Sequence, residues 1–244
     1  MIQQPRLSAD VSPAGVTVVV LQPGYFPWLG FFDQLQRADV FVYYDDAQYD
    51  KHGWRNRNRI KTQHGPLWLT VPIRHSGVQF PRILDAEIDA RTPWARKHIG
   101  SVQQAYARAP FLRRYLPEVE ALLQREWTHL VDLDIACVDL MARWLGLRPR
   151  IERSSRLGIG GEQSERLVNI CRHFGAATYL SGDAAQTYLD VGAFERNGIA
   201  VEWQRYSHPV YPQLHGEFVP YLSALDLLLN CGDEAPLIAF PGIR

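Results

Sequence analysis

The chain has 244 residues, 46% apolar and 21% charged, the balance of a soluble globular protein. Lys plus Arg and Asp plus Glu number 26 each, so the formal charge is zero, which argues against a dedicated nucleic-acid binder. Three widely spaced cysteines, Cys137, Cys171 and Cys231, form neither a disulfide framework nor a CxxC metal pair, and the cytoplasm is the expected compartment.

Residues 1–15 are polar, hold two prolines and read as a flexible tail. Val16–Leu21 is a short continuous apolar run, as expected of a strand buried on both faces. It is too short for a membrane span or a signal-peptide core. A turn through Gln22-Pro23-Gly24-Tyr25-Phe26-Pro27 leads to Trp28, Phe31, Phe32 and Leu35, spaced as one helical stripe. Val40–Tyr44 is a second buried run and ends at Asp45-Asp46. Strand, turn, helix and strand begin a parallel α/β sheet, whose ligands sit outside the carboxyl ends of the strands.

Residues 47–66 carry a cationic cluster: Lys51, His52, Arg55, Asn56, Arg57, Asn58, Arg59 and Lys61. Its Asn–Arg alternation is poor filler for helix or strand, so it reads either as a solvated loop or as a grip for phosphate or carboxylate. Leu67–Ile73 is an expected strand, and Ile83–Ile88 a short one. From Thr92 the period becomes helical. Thr92 and Thr128 are expected N-caps, with Pro93 and Pro117 opening helices. Residues 92–146 thus form a helical block inserted in one α/β domain spanning 16–244. Pro149–Arg153, Thr178–Ser181 and Gly198–Tyr206 resume the strands, with a helix before Gly175 and a last one over about Tyr221–Asn230.

Three groups can carry chemistry. Asp45 or Asp46 at a strand end can act as general base or hold Mg²⁺ through water, or can instead pair with Arg55 or Arg57. His208, fixed by the following Pro209, is the second candidate base or an exposed loop histidine. Asn56, Arg57, Asn58 and His52 can orient an anionic or polar substrate. Cys137 and Cys171 lie on apolar helix faces, and no GxSxG elbow, P-loop, GxGxxG or paired histidine metal motif occurs.

The blocks Leu21–Gly30, Phe41–Asp46, Trp54 with Asn56–Lys61, Trp68–Pro72, Tyr179–Gly182 and His208–Gln213 together resemble the WbqC-like family, over residues 17 to about 232. The resemblance implies a place among O-antigen, related sugar or specialised-metabolite biosynthetic proteins. In that setting the expected activity is acyl or aminoacyl transfer from a small-molecule or carrier-bound thioester to an amine. Ala38-Asp39-Val40 after the first helix is also similar to the nucleotidyltransferase-like fold of pantothenate synthetase. No histidine lies between residues 22 and 30, so the HxGH turn that holds ATP there is absent.

The expectation is therefore a mostly parallel, Rossmann-like sheet flanked by helices. His208 or Asp45 is the catalytic base. Gln22, Tyr25, Asp46, His52, Asn56, Arg57, Asn58, Tyr179, Ser181, Tyr211 and Gln213 contact the substrate. No cofactor, metal, membrane or nucleic acid is involved. The rival activities are phosphate or nucleotidyl transfer, and ligand or carrier binding without turnover. All depend on loops near residues 22–28, 45–58, 179–182 and 206–213 meeting at one rim of the sheet.

Overall fold

A computed structural model describes residues 15–50, 53–74 and 82–242. The expected tail, apart from Gly15, and the expected ligand His52 lie outside them.

Five strands make a parallel sheet: β1 (Val16–Leu21), β2 (Val40–Tyr43), and three from the second half of the chain, β5 (Arg150–Arg153), β6 (Ala176–Ser181) and β7 (Ala200–Trp203). Their order is β5-β2-β1-β6-β7. Alternation along the strands divides the side chains between two cores. Val19, Phe41, Tyr43 and Leu180 face α1 (Leu29–Arg37) and the helices α2 (Trp94–Ala105), α3 (Leu112–Leu123), α4 (Leu130–Trp144) and α8 (Leu225–Cys231). Val18, Val20, Val40, Val42 and Tyr179 face α6 (Gln163–His173), which follows the single-turn α5 (Ser154–Leu157), and α7 (Val191–Glu195).

The chain runs from β1 through α1 to β2 on one side of the sheet's centre, and from β6 through α7 to β7 on the other. The two connections lie on opposite faces, so the winding reverses between β1 and β6. That reversal opens a crevice at the strands' carboxyl ends.

The cationic cluster is the main departure from the expected elements. Arg57–Thr62 is a strand, β3, paired antiparallel with β4 (Gly65–Thr70) in a separate hairpin. A period of two explains it: Asn58 and Ile60 are buried, while Arg57 and Arg59 lie on the other face, which the Arg59–Trp68 pairing shares. Trp68 is 41% exposed and packs against Trp54 at 4.9 Å, with Arg57 4.6 Å from its ring centre. The alternating arginines thus rest on indoles instead of lying in open solvent.

Ile83–Ile88 is not a strand. Ile83–Asp85 is a single 3₁₀ turn and Ile88 makes an isolated bridge to Ile73, which together bury both isoleucines. Pro117 lies inside α3 instead of opening it. The backbone bond it removes is offset by burial of Tyr115, Val119, Leu122 and Leu123. Thr92 and Thr128 are not caps. Thr92 lies one residue outside Pro93, and the Thr128 carbonyl accepts from Ile88 N at 2.8 Å. The last long helix starts at Leu225, because Ser223 N and Ala224 N are bonded to Arg59 O and Pro27 O, both at 2.9 Å. No helix among the described residues is long and apolar enough to cross a membrane.

Candidate functional site

The crevice between β1 and β6 holds a cleft with two lobes. The first, about 580 Å³, is walled by Trp28, Phe31, Trp54, Tyr206 and Tyr221, with Asn58, Arg59, Asp183 and Gln204 supplying polar groups. The second, about 610 Å³, is lined by Tyr44, Gln163, Ser164, Tyr179, Ser181 and Tyr188. Leu21, Gln22, Gln34, Arg55, Gly182 and Ala184 line both, so the lobes meet at the ends of β1 and β6. Apolar walls with a few converging polar groups are the usual make-up of a small-molecule site.

The turn after β1 is held open by specific bonds. Phe26 has φ +39°, a conformation that costs a non-glycine residue of order 1–3 kcal/mol. Asn58 Nδ2 donates to Phe26 O at 2.8 Å, and Tyr25 N donates to Arg55 O at 2.9 Å. Arg55 Nη1 in turn donates to Gln22 O at 2.9 Å and Pro23 O at 3.2 Å. The guanidinium is fastened beside the end of β1 while it lines both lobes. Burial pulls its pKa down from the ordinary arginine value, and Asp134 and Asp50 act against that. No carboxylate among the described residues lies within 4.0 Å of Arg55 or of Arg59. Asp134, fully buried on α4, has neither oxygen hydrogen-bonded among the described residues, and burial pushes its pKa well up.

Of the residues expected to contact substrate, Gln22, Asn58, Tyr179 and Ser181 line the cleft. Asn58 also spends its amide on Phe26 and accepts Arg59 N at 2.8 Å. Tyr25 does not line the cleft. It is wholly buried, and its hydroxyl bonds His98 Nδ1 at 2.9 Å. Asn56 is turned to Val71 O at 2.8 Å, because it sits where the hairpin starts. Arg57 lies on the hairpin's indole face and donates to Gly53 O at 3.2 Å. Gln213 is engaged at both ends with Val219, and Tyr211 is buried beside Asp226, so both brace the 206–222 loop.

The two expected bases also stand away from the cleft lining. Asp45 accepts from Arg153 Nε at 2.6 Å, Ser154 Oγ at 3.1 Å, Ser155 N at 2.9 Å and Ser155 Oγ at 2.7 Å. Burial works to raise its pKa, but the Ser155 and Arg153 bonds outweigh that and hold the carboxyl below its ordinary value. Four donors occupy its acceptor sites, and the bonds tie the end of β2 to the end of β5. Asp46 is bound by Ser154 and Arg166. Neither aspartate pairs with Arg55 or Arg57, the partners weighed from sequence; the arginines that bind them are more than 100 residues away.

His208 stands behind the aromatic wall. Its ring lies 5.9 Å from Tyr206, 5.3 Å from Tyr221, 5.7 Å from Phe218 and 6.2 Å from Tyr211. Nδ1 bonds Pro209 O at 2.8 Å, and Nε2 is buried without a partner among the described residues. Burial lowers its pKa, favouring the neutral ring.

Sequence reasoning passed over Gln34, Asp183 and Gln204. Gln34 interrupts the apolar side of α1 yet is buried, which is the signal a polar residue on a helix stripe can give. Asp183 follows Ser181-Gly182 at a strand end, the position where cleft residues are expected. Its Oδ1 accepts Arg205 N at 3.0 Å, and Oδ2 has no partner among the described residues. Gln204 left no local signal. No cluster of His, Cys, Asp or Glu among the described residues is arranged to hold a metal.

The family model described as the WbqC-like protein family matches residues 22–238. An uncharacterised protein of Mycobacterium tuberculosis is 37% identical over 221 residues, which cover 90% of this chain and 95% of that one. No solved structure matches significantly.

Proposed function

The chain belongs to the WbqC-like protein family, and we propose that it is a transferase of cell-surface sugar or specialised-metabolite biosynthesis that passes an acyl or aminoacyl group from a thioester to an amine. One observation supports a transfer above all: two lobes of nearly equal size share a single wall, at Gln22, Arg55 and Gly182. A donor in one lobe and an acceptor in the other would meet there, which converts an encounter of two molecules into a local step.

In this reading the amine nitrogen adds to the thioester carbonyl carbon. The C–N bond forms, the C–S bond breaks, and the electron pair leaves with sulfur. The side-chain amide of Gln22, which has no hydrogen-bond partner among the described residues, and the Arg55 guanidinium stabilise the oxyanion. The amine's proton passes to Asp183 Oδ2 and from there to the departing thiolate through solvent. Asp183 takes the role because it lines the cleft, whereas Asp45 and His208 do not. His208 keeps the aromatic wall in place.

A second reading, ligand binding without turnover, draws support from that same withdrawal of Asp45 and His208. Mixing acyl- and aminoacyl-coenzyme A donors with amino sugars and following products by mass spectrometry separates the two. The transferase reading expects a product of donor plus acceptor less thiol, lost to baseline in Asp183→Asn. Binding of both classes with no product at stoichiometric protein favours the binding reading and rejects transfer.

A further inference from the structure

Arg59 and Trp54 carry an inference about what enters the first lobe. Arg59 lines that lobe, and its guanidinium carbon lies 5.4 Å from the Trp54 ring centre and 5.5 Å from that of Trp68. The guanidinium's one hydrogen bond among the described residues is a long one, Nη2 to Tyr221 O at 3.3 Å, and its Nε is buried with no acceptor. Arginines elsewhere on the surface find carboxylates: Arg82 holds Asp85 at 2.7 Å and Arg91 holds Asp89 at 2.6 Å. Arg59 is thus a cation with its faces on indoles and most of its donors unspent.

Arg55, the other arginine of the lobe, has no carboxylate within 4.0 Å among the described residues, but its Nη1 is held by the carbonyls of Gln22 and Pro23 at the shared wall. Asp183 is the lobe's acidic side chain and lies at the end of β6, while Arg59 belongs to the hairpin. Trp54 is 44% exposed although one side of it is covered by Trp68 and Arg59. Its remaining surface is part of the lobe, and Tyr221, 48% exposed, is another ring of the same wall. A guanidinium with no carboxylate partner beside a partly bare indole suits a ligand that combines a planar ring with negative charge.

We propose that the first lobe is a nucleotide subsite, in which Trp54 stacks on the base and Arg59 binds the diphosphate. It would take a nucleoside diphosphate or the nucleotide handle of a larger substrate. The proposal rests on the reading of the cleft as a transfer site, because it assigns a handle to one of the two substrates. Stacking on an indole tolerates any base, so the subsite reads a ring plus its phosphates more than a particular base.

The test is calorimetric titration of the full chain with ADP, UDP, adenosine and inorganic pyrophosphate, with tryptophan fluorescence as a second readout. Both nucleotides are expected to bind and quench fluorescence, with adenosine and pyrophosphate each at least tenfold weaker. Arg59→Gln and Trp54→Ala should each weaken ADP at least tenfold, whereas Trp54→Phe, which keeps a stacking ring, should stay within a few-fold. Unchanged melting temperatures in Trp54→Phe and Arg59→Lys verify the fold. Pyrophosphate binding as tightly as ADP overturns the ring subsite, and ADP affinity indifferent to Arg59→Gln and Trp54→Ala overturns the proposal entirely. These readouts need no turnover. Nucleotide binding without amide product rejects the transfer reading alone, and amide product without nucleotide binding rejects this subsite alone.

Discussion

Gln34 donates its side-chain amide to Gln204 Oε1 at 2.9 Å, joining α1 to the end of β7 across 170 residues of chain. Gln204 Nε2 in turn donates to Gly30 O at 2.7 Å and Asp33 Oδ2 at 2.9 Å. Both amides line the first lobe, and the pair fixes α1 against the end of β7. Gln204→Ala removes three hydrogen bonds and leaves the buried Gln34 amide short of a partner. Leaving such a group unpaired costs about 1–3 kcal/mol. A lower urea midpoint with unchanged slope is the expected outcome, together with weaker binding of any cleft ligand.

Gly30 lies beneath Trp28. A Cβ there would come within 2.2–2.5 Å of the indole ring, which packs edge-on against Tyr206 at 5.0 Å. Gly30→Ala should therefore push Trp28 out of the lobe wall, change the near-ultraviolet circular dichroism, and destabilise by about 1–3 kcal/mol. Gly100 on α2 has no atom within 4 Å of the same position. Gly100→Ala is expected to stabilise by about 0.5–1 kcal/mol through helix propensity alone. Opposite shifts in the chemical-denaturation midpoint check the pair.

Asp45 binds the end of β2 to Arg153, Ser154 and Ser155. Asp45→Asn removes the charge from a buried acceptor while Arg153 keeps Asp132 at 3.3 Å, a loss of about 1–3 kcal/mol. The folded carboxyl titrates below its usual 3.8, so its contribution is whole at pH 5 and is lost as pH falls below about 3.8. Acid unfolding of the wild type should steepen in that window, and the Asn variant should lack that component.

His98 is buried, accepts the Tyr25 hydroxyl, and has its pKa pulled down to about 4 by burial. Protonation therefore favours the unfolded chain. Stability should be full above pH 6.5 and fall by about 1.4 kcal/mol per unit between pH 6.5 and 4. His208, also lowered by burial, adds to the slope. The readout is thus the difference between wild type and His98→Gln, whose amide can replace the ring's bonds to the Tyr25 hydroxyl and the Thr70 backbone. A slope unchanged in His98→Gln refutes the assignment.

Much of this protein could be read from local pattern. Val16–Leu21, Val40–Tyr43 and the stripe Phe31, Phe32 and Leu35 declare themselves through runs and periods, and these alone imply a parallel sheet with a site at its carboxyl edge. Gln22 and Ser181 were reachable for that reason, since each marks the end of a strand. The hairpin was not, because Arg57–Thr62 has polar residues on both faces, and what pays for Asn58 inside is the strained turn at Phe26, 32 residues away. Asp45 and His208 had the residue types and positions of bases. What removed them from the cleft was their surroundings: Asp45 is satisfied by Ser155, more than 100 residues away, and His208 is enclosed by the aromatic rings of its own loop.

Elements and the sheet's direction are thus properties of the sequence, because hydrophobic period and turn chemistry act over a few residues. The cleft's charges and walls belong to the tertiary structure alone. Arg55, Gln34, Gln204 and Asp183 come together only once the strand order has reversed between β1 and β6, and no local pattern encodes that reversal.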